Sequence, residues 1–316
     1  MKVLVTGGTG YVGRAIVLAL AQASHVPVVF ARRASHSRLP GQLVDGDIRD
    51  RDALNRAADG VDAICHTAAL VSIWRARRAE FDEINIDGLR HSIDVCRKRR
   101  ITKLVYTSSF LARPPTGVRQ ALTANDYQRT KVAALEVARA AAREGLPVIS
   151  IVPGVIYGPG AATEGNLVGR LIHDHVQGRL PGIIGGDRLW SFTHVDDVAA
   201  AHVAALTRGE PGREYVTGGE NAPQKRLFEV LSRVRGTPPP RRIPYAVATA
   251  LACIEEARAT LSGRPPLLTR GTVEIFRHDW PLDSEPTIAA LGYVVTPLEQ
   301  GLERLLSSQP DSRAQG

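Results

Sequence analysis

The sequence predicts an α/β protein built on a doubly wound parallel sheet, with a smaller second domain towards the C-terminus. Two observations carry this prediction. Short apolar runs alternate with amphipathic stretches over the first 155 residues, as strands and helices do in right-handed crossover units. The first apolar run also ends in a glycine-rich turn, GGTGYVG at residues 7–13, before an amphipathic stretch begins.

Composition narrows the class of protein. The chain has 316 residues, of which 44% are hydrophobic and 23% charged, as in ordinary globular proteins. No apolar run is long enough for a membrane span, and the start MKVLVTGG reads as a buried strand, so we expect a cytoplasmic protein. Cys65, Cys96 and Cys253 are far apart and predict neither a disulfide framework nor a metal site.

A net charge of +8 is compatible with nucleic-acid binding, and the basic cluster Arg97-Lys98-Arg99-Arg100 adds to that possibility. The arginines are spread over the chain and are not interleaved with aromatic residues, which make up only 5%. A solvated basic surface is the simpler interpretation. The expected partner is therefore a small molecule rather than a nucleic acid.

The elements follow one another as the fold class requires. Residues 2–6 predict a buried strand, and residues 11–22 carry helical spacing. Further apolar runs predict strands at Val26 to Ala31, Leu43 to Val44, Ala63 to Cys65, Lys103 to Thr107 and Val148 to Val152. Two long helical stretches, Ala79 to Arg99 and Asn125 to Arg143, lie between them. Such a sheet is covered by helices on both faces.

Beyond residue 155 the alternation loosens. A glycine-rich stretch leads to helices predicted near residues 165–178 and 195–206, and three prolines precede another at residues 245–261. The predicted first domain comprises residues 1–155 and about 189–220. The second comprises about 156–188 and 221–306, and residues 307–316 form a polar tail that we expect to be disordered.

The glycine turn predicts a dinucleotide site of the Rossmann type. Its glycines allow a tight turn, close backbone approach to a pyrophosphate, and close packing of helix on strand. The predicted cofactor contacts are Gly7, Thr9, Gly10, Tyr11, Val12 and Gly13. A merely structural turn is the alternative.

The second strand predicts NADP(H) rather than NAD(H). NAD-preferring folds place an acidic residue there, whereas this chain has Ala31-Arg32-Arg33, and Arg32 can clamp a 2′-phosphate. The alternative is that both arginines lie beside a neutral ribose pocket. After the third strand, Asp47 is predicted to accept a hydrogen bond from the adenine amino group and Ile48 to pack on the ring. An ordinary turn aspartate explains Asp47 equally well.

Tyr127 and Lys131 are four residues apart and share one helix face. A fixed ammonium favours the phenolate, and we therefore expect Lys131 to lower the pKa of Tyr127. Lowering that pKa by about 2 to 3 takes about 3 to 4 kcal/mol. Together with the dinucleotide turn, the pair predicts hydride transfer coupled to proton transfer.

These residues resemble the extended short-chain dehydrogenase/reductase family, also called the NAD-dependent epimerase/dehydratase superfamily. The resemblance extends over about residues 1–305 and is greatest to its dihydroflavonol-4-reductase-like and 3β-hydroxysteroid-dehydrogenase-like branch. The matching segments, in the family's order, are TGGTGYVG at residues 6–13, GDI at 46–48, HTAA at 66–69, NIDG at 85–88, TSS at 107–109, Tyr127 with Lys131, PGVIYG at 153–158 and FTHVDDV at 192–198.

The resemblance implies roles for single residues. Ser109 would hydrogen-bond the substrate carbonyl, Tyr127 would give or take the proton, and Lys131 would also hold the nicotinamide ribose. Ser108 is the less favoured serine. Asn85 would support the site. The further cofactor contacts it implies are Thr67, Ala68, Ala69, Pro153 and Val155. It also implies a homodimer paired through the two long helical stretches, residues 79–99 and 125–143.

Aromatic residues suggest an apolar substrate. Trp190 stands where the family's nucleotide-sugar enzymes carry an arginine, and an indole cannot neutralise a diphosphate. With Trp74, Phe110 and Phe192 it indicates a ring-like or alkyl substrate, although aromatics that merely fill the core are the alternative. The leading prediction is an NADPH-dependent reductase, or reverse dehydrogenase, acting on a carbonyl or alcohol of an apolar small molecule.

Two rival functions stay open. Arg188 can substitute for the missing cation, which keeps a nucleotide-sugar epimerase or dehydratase as the runner-up. A protein that binds NADP without catalysis is the second rival, because a fold does not fix function. No metal site is predicted, since His173 and His175 face different sides of a helix.

Overall fold

The computed structural model describes residues 1–160 and 165–307 of the chain. Strands in these residues run over Lys2–Thr6 (β1), Val26–Ala31 (β2), Gln42–Asp45 (β3), Ala63–His66 (β4), Lys103–Thr107 (β5), Val148–Pro153 (β6), Val155–Tyr157 (β7), Leu189–His194 (β8), Glu214–Thr217 (β9) and Glu220–Pro223 (β10).

Helices cover much of the remaining described chain. They run over Tyr11–Gln22 (α1), Arg51–Ala57 (α2), Ala79–Asp82 (α3), Gly88–Arg99 (α4), Asp126–Arg143 (α5), Leu167–Val176 (α6), Val195–Arg208 (α7), Gln224–Arg235 (α8), Tyr245–Ser262 (α9), Arg270–Ile275 (α10), Glu285–Leu291 (α11) and Leu298–Ser307 (α12). Residues 83–87 join α3 to α4 through one wide helical turn, so the helix predicted over 79–99 is nearly continuous.

The main sheet has seven strands in the order β3-β2-β1-β4-β5-β6-β9, and all its pairs are parallel. The strand order reverses between β1 and β4, and the carboxyl ends of all seven strands meet at one edge. Ligands of open parallel sheets bind at such a reversal point, outside the carboxyl ends. The predicted doubly wound α/β fold is confirmed.

Both faces of the sheet are buried because side chains along each strand alternate between them. Leu4 of β1 packs with Leu89 of α4 and Ala134 of α5 on one face. Val5 packs with Ile16 of α1 and with residues of α7 on the other. This double burial explains why the strands read as continuous apolar runs.

A second sheet has three strands in the order β10-β8-β7. β8 runs antiparallel to β10 and parallel to β7. Residues from this sheet, α6, α8 and α12 share one apolar cluster, which includes Trp190, Phe192 and Leu302. This smaller part forms one side of the pocket around Tyr127 that is described below.

The predicted domain division stays a prediction, although the strands bear on one boundary. Of the residues 189–220 predicted for the first domain, β9 does join the main sheet, but β8 belongs to the smaller one. Residues 161–164, in the predicted substrate domain, lie outside the described residues. So do residues 308–316 of the predicted tail, whose first residue, Ser307, ends α12. The predicted homodimer likewise stays a prediction.

Candidate active site

The turn after β1 depends on glycine at two positions. Gly7 has φ of +68°, and its N–H donates to the carbonyl of Phe30 at 2.8 Å. A Cβ at Gly13 would lie 2.2 Å from the carbonyl oxygen of Gly7, far inside contact distance. Only glycines therefore allow α1 to start this close to the strand.

The N-terminus of α1 is left free for an anion. The residue before the helix, Gly10, has no side chain to cap it, and the first turn carries no acidic residue. Unpaired N–H groups and the helix dipole attract negative charge at such an end. A cleft of about 980 Å³ opens beside this turn. The residues present fit the pyrophosphate of a dinucleotide.

All predicted cofactor contacts of the first half line that one cleft. They are Gly7, Thr9, Gly10, Tyr11, Val12, Gly13, Arg32, Asp47, Ile48, Thr67, Ala68 and Ala69. Arg33 lines it as well. Arg32 and Arg33 are exposed and form no ion pair with any residue in 1–160 or 165–307. Their charge is thus available to a ligand in the cleft.

Asp47 has a partner that sequence reasoning missed. Arg49 donates to the Asp47 carboxylate twice, from Nε at 3.0 Å and from a terminal nitrogen at 2.7 Å. These hydrogen bonds hold the pKa of Asp47 below its ordinary value. Asp47 therefore faces the cleft as an ion pair rather than as a free acceptor, and its predicted contact with adenine stays a prediction.

Tyr127 and Lys131 lie on the same face of α5, which Asn125 caps by accepting a hydrogen bond from the N–H of Gln128 at 2.8 Å. Lys131 is buried, and its Nζ donates to the carbonyl of Thr107 at 3.0 Å. The same Nζ lies 6.0 Å from the centre of the Tyr127 ring. The helix thus fixes the ammonium close to the phenol, at the carboxyl end of β5.

The prediction that Lys131 lowers the pKa of Tyr127 is wrong. Burial of the phenol raises its pKa to about 12, and only a hydrogen bond from Ser109 acts in the opposite direction. Burial also lowers the pKa of Lys131 to about 8. Both shifts have one cause: removing a charged form from water costs more here than the neighbouring charge returns.

Ser109 is the serine beside Tyr127. Both Ser108 and Ser109 follow β5 and line the same pocket as Tyr127. Ser109 Oγ accepts a hydrogen bond from the N–H of Leu111 at 3.2 Å and interacts with Tyr127. Ser108 Oγ is buried and has no hydrogen-bond partner among the described residues. The geometry favours Ser109 as the group that acts with Tyr127.

Asn85 braces the site from behind. Its side chain accepts from the N–H of Leu70 at 2.7 Å and donates to the Leu70 carbonyl at 3.2 Å. It also donates to Thr130 Oγ at 2.9 Å, next to Lys131. Asn85 therefore ties the loop after β4, which lines the cofactor cleft, to the helix that carries Tyr127.

A pocket of about 220 Å³ contains the Tyr127 side chain, together with Ser109 and Lys131. Pro153 and Val155, implied as cofactor contacts, line it too. Its other walls are mainly apolar and include Phe110, Leu111, Val168, Trp190, Ile275 and Phe276. The rings of Trp190 and Phe276 lie 4.8 Å apart. The pocket joins polar reactive groups to an apolar enclosure.

Two of the three predicted substrate residues line the pocket. Phe110 and Trp190 line the pocket, whereas Trp74 does not. The loop turns at Ser72, whose Oγ donates to the Trp74 carbonyl at 2.8 Å, so that Val71, Ser72 and Ile73 face the pocket instead. Phe192 fills the core of the smaller part, in agreement with the alternative interpretation.

Sequence reasoning missed the pocket residues Asn166, Arg170, Thr272, Ile275 and Phe276. They come from α6, α10 and the residues that flank these helices, and no local motif marks them. Arg188, considered as a substitute cation, lies at the surface with its guanidinium 3.3 Å from the Asp279 carboxylate. It does not line the pocket.

In the described parts of the chain, no group of His, Cys, Asp and Glu side chains is arranged to hold a metal ion. His175 instead contacts the hydroxyls of Ser232 and Thr237. None of the described helices combines the length and apolar character needed to cross a membrane.

Comparisons with known proteins agree with this geometry. Residues 3–218 match the NAD dependent epimerase/dehydratase family. The chain is 30% identical to sterol demethylase protein B of Methylococcus capsulatus, over 94% of each protein. It is also 30% identical to 2-alkyl-3-oxoalkanoate reductase of Stenotrophomonas maltophilia, over 98% of this chain and 99% of that one.

A solved structure shows the same fold at lower identity. UDP-glucose 4-epimerase of Thermotoga maritima, crystallised with UDP-glucose, matches with a TM-score of 0.79 and 21% identity, over 97% of this chain and 98% of that one. At this identity the likeness concerns the fold alone. The chain belongs to the NAD-dependent epimerase/dehydratase family, the extended short-chain dehydrogenases/reductases, and is an NAD(P)-dependent oxidoreductase of that family.

Proposed function

We propose that the protein is an NADPH-dependent reductase that acts on a carbonyl group of an apolar small molecule, with Ser109, Tyr127 and Lys131 as its catalytic residues. The same site would oxidise the alcohol in reverse. One observation carries the proposal: these three side chains converge in a single pocket whose other walls are mainly apolar.

The cofactor preference rests on the cleft beside the glycine turn. The free N-terminus of α1 would hold the pyrophosphate. The guanidinium groups of Arg32 and Arg33, which form no ion pair with a described residue, would hold a 2′-phosphate. Lys131, Pro153 and Val155 would contact the nicotinamide half from the adjoining pocket. Bound NADPH supplies the hydride for the reduction.

The charges of the pocket suit a reduction. With a pKa of about 12, Tyr127 holds its proton at neutral pH and can donate it to a carbonyl oxygen that gains negative charge. Ser109 can donate a second hydrogen bond to that oxygen. Lys131, with a pKa of about 8, is mostly charged at pH 7 and favours the phenolate once the proton has left.

Apolar substrates agree with both the walls and the relatives. Phe110, Trp190 and Phe276 present aromatic surface to the pocket, which gains most from apolar groups removed from water. The relatives at 30% identity are named for a sterol and for an oxoalkanoate, and each of these carries oxygen on a largely hydrocarbon body. We therefore place the substrate among ketones or alcohols with an apolar ring or chain.

Tyr127→Phe tests the proposal because it removes only the hydroxyl. We expect kcat for NADPH-dependent reduction of a panel of apolar ketones to fall by about 10² to 10⁴-fold, while the affinity for NADPH is unchanged. Tyr106→Phe is a matched control, since Tyr106 is a buried tyrosine of β5 that does not line the pocket. Unchanged turnover in Tyr127→Phe would contradict the proposal.

The two rival functions predict other results. An enzyme acting on nucleotide sugars would bind UDP-glucose with a large rise in melting temperature, and that result would replace our proposal. A protein that only senses NADP would bind NADPH but oxidise it with no ketone of the panel. Tyr127-dependent turnover excludes this second rival.

A further inference from the structure

Arg170 is a cation of the substrate pocket that has no ion-pair partner among the described residues. It lies on α6, and its N–H donates to the carbonyl of Asn166 at 3.0 Å, which fixes the backbone. The side chain lines the pocket beside the apolar walls. Its Nε is buried without an acceptor, and the guanidinium forms no ion pair with any residue of 1–160 or 165–307.

Arg129 and Arg139, by contrast, are paired with carboxylates. The guanidinium of Arg129 lies 2.6 Å from the carboxylate of Asp82, and that of Arg139 lies 2.6 Å from the carboxylate of Glu214. The lining of the pocket includes no Asp or Glu among the described residues. A guanidinium is always charged, donates five hydrogen bonds and accepts none. Among the described residues no acceptor satisfies the buried Nε of Arg170, which leaves it available to an acceptor on a ligand.

Trp190 supplies a second and independent observation. This residue of β8 also lines the pocket, is only 8% exposed, and its indole N–H has no acceptor among the described residues. An indole N–H, like a guanidinium, only donates. Buried polar groups normally have partners. Two unsatisfied donors in the walls of one pocket indicate a ligand that brings acceptor oxygens.

We propose that Arg170 binds a carboxylate of the substrate, so that the substrate class is an apolar oxo acid or its hydroxy acid. This inference rests on the proposed reductase function, whose carbonyl chemistry takes place at Tyr127. A carboxylate is planar and matches the fork of a guanidinium with two parallel hydrogen bonds. The remainder of the substrate packs on the apolar walls.

The charge of the pocket favours a carboxylate over a diphosphate. A diphosphate carries two negative charges and needs more than one cation. The other cation of the pocket lining, Lys131, already donates to the Thr107 carbonyl and lies close to Tyr127. One free guanidinium balances one carboxylate. Its attachment also fixes the direction in which the hydrocarbon body enters the pocket.

A binding experiment tests the carboxylate site without requiring turnover. Octanoate and its uncharged analogue methyl octanoate are titrated by calorimetry into the NADPH complex of the wild type and of Arg170→Met, which keeps an unbranched apolar chain. We expect the wild type to bind octanoate at least tenfold more tightly than the ester. Arg170→Met should lose this preference and keep its affinity for the ester.

Two further variants serve as controls. Arg170→Lys keeps the charge and should retain part of the preference. Arg179→Met removes an arginine just beyond the same helix, which is paired with Asp174 outside the pocket, and should leave both affinities unchanged. An equal loss of octanoate and ester affinity in Arg170→Met would overturn the carboxylate site. So would binding of UDP, but not of octanoate, that depends on Arg170.

Turnover separates this inference from the proposed function. The measured quantity is kcat/KM for 4-oxodecanoate and for its methyl ester. Arg170→Met should lower it at least tenfold for the acid alone, whereas Tyr127→Phe should lower it for both. If the wild type reduces neither compound but binds octanoate through Arg170, the anion site stands and the reductase function fails. If both are reduced and Arg170→Met affects them equally, the reductase function stands and the anion site fails.

Discussion

The cofactor cleft and the substrate pocket adjoin one another but are built in different ways. The cofactor cleft is formed mainly by the turn at residues 7–13 and by the ends of β2, β3 and β4 with the residues that follow them. The substrate pocket collects side chains from β5, α5, α6, β8 and α10, which span more than half of the chain. A site made by local backbone geometry leaves a motif in the sequence, whereas a site assembled from distant segments does not.

Their electrostatics differ as well. The cofactor cleft exposes the arginines that follow β2 to water, where charge costs little. In the substrate pocket Lys131 is buried among apolar groups, and burial shifts the pKa values of both Lys131 and Tyr127. The cofactor cleft therefore attracts an anion by exposed charge, whereas the substrate pocket holds its reactive groups, Lys131 and Tyr127, away from water.

The largest expected effect concerns the backbone of the cofactor cleft. In Gly13→Ala the new Cβ must move away from the Gly7 carbonyl, 2.2 Å distant, and the turn opens. We expect NADPH affinity, measured by fluorescence titration, to fall by more than about 100-fold. At Gly10 the nearest atom to an added Cβ is 3.1 Å away, so Gly10→Ala should lose less. Equal affinity of Gly13→Ala and wild type would contradict the local construction of this cleft.

A smaller effect tests the buried charge of the substrate pocket. The pKa of Lys131 is about 8 in the folded protein, whereas its ordinary value, which we expect in the unfolded chain, is 10.5. Between these pH values the unfolded chain binds more protons, so stability rises with pH. Below pH 8 Lys131 is charged in both states, so the folded protein carries the full free-energy cost of burying that charge. The rise should amount to about 3 kcal/mol from this one group.

Lys131→Met should abolish that part of the rise. Urea unfolding of the protein without cofactor measures this rise at a series of pH values from about 7 to 11. That range brackets the titration of the lysine in both the folded and the unfolded state. Lys98→Met, at an exposed position of α4, should keep the slope of the wild type. A slope that is the same in Lys131→Met and wild type would show that Lys131 is not buried in its charged form.

The smallest effect concerns exposed charge in the cofactor cleft. Replacing Arg32 and Arg33 together by serine should reduce the preference for NADPH over NADH by about tenfold, because exposed ion pairs are worth about 1 kcal/mol or less each. The ratio of kcat/KM values for the two cofactors measures it. Arg14→Ser, at an exposed position of α1 away from the cleft, is the control. An unchanged ratio in the double variant would remove the argument for NADPH.

What can be predicted from the sequence follows the same division. The first six strands, the glycine turn and the pairing of Tyr127 with Lys131 depend on neighbours within a few residues, and the structure has them where expected. The aromatic character of Trp74 predicts a place in the pocket, but the hydrogen bonds of Ser72 turn the loop away. The partner of Asp47 is missed because nothing in a turn motif specifies that Arg49 folds back onto it.

Residue spacing also cannot predict how far a side chain is buried. A four-residue step places Lys131 near Tyr127, but the pKa of the phenol depends on how much water the complete pocket leaves around it. Arg170 is overlooked for a related reason. The role of a lone arginine on a helix cannot be predicted until the residues opposite it are known, and these belong to β8 and α10.

The position of β9 has a consequence for how such proteins diversify. The chain leaves the main sheet after β6, forms β7 and β8 of the smaller sheet, and returns so that β9 pairs along β6 from Ser150 to Pro153. A fragment ending at residue 155 would expose that edge of β6, whose residues are all buried in the whole protein, and exposed strand edges of this kind recruit other chains. Because the chain crosses between the two sheets more than once, the smaller sheet is not a contiguous segment that could be exchanged as a separate module.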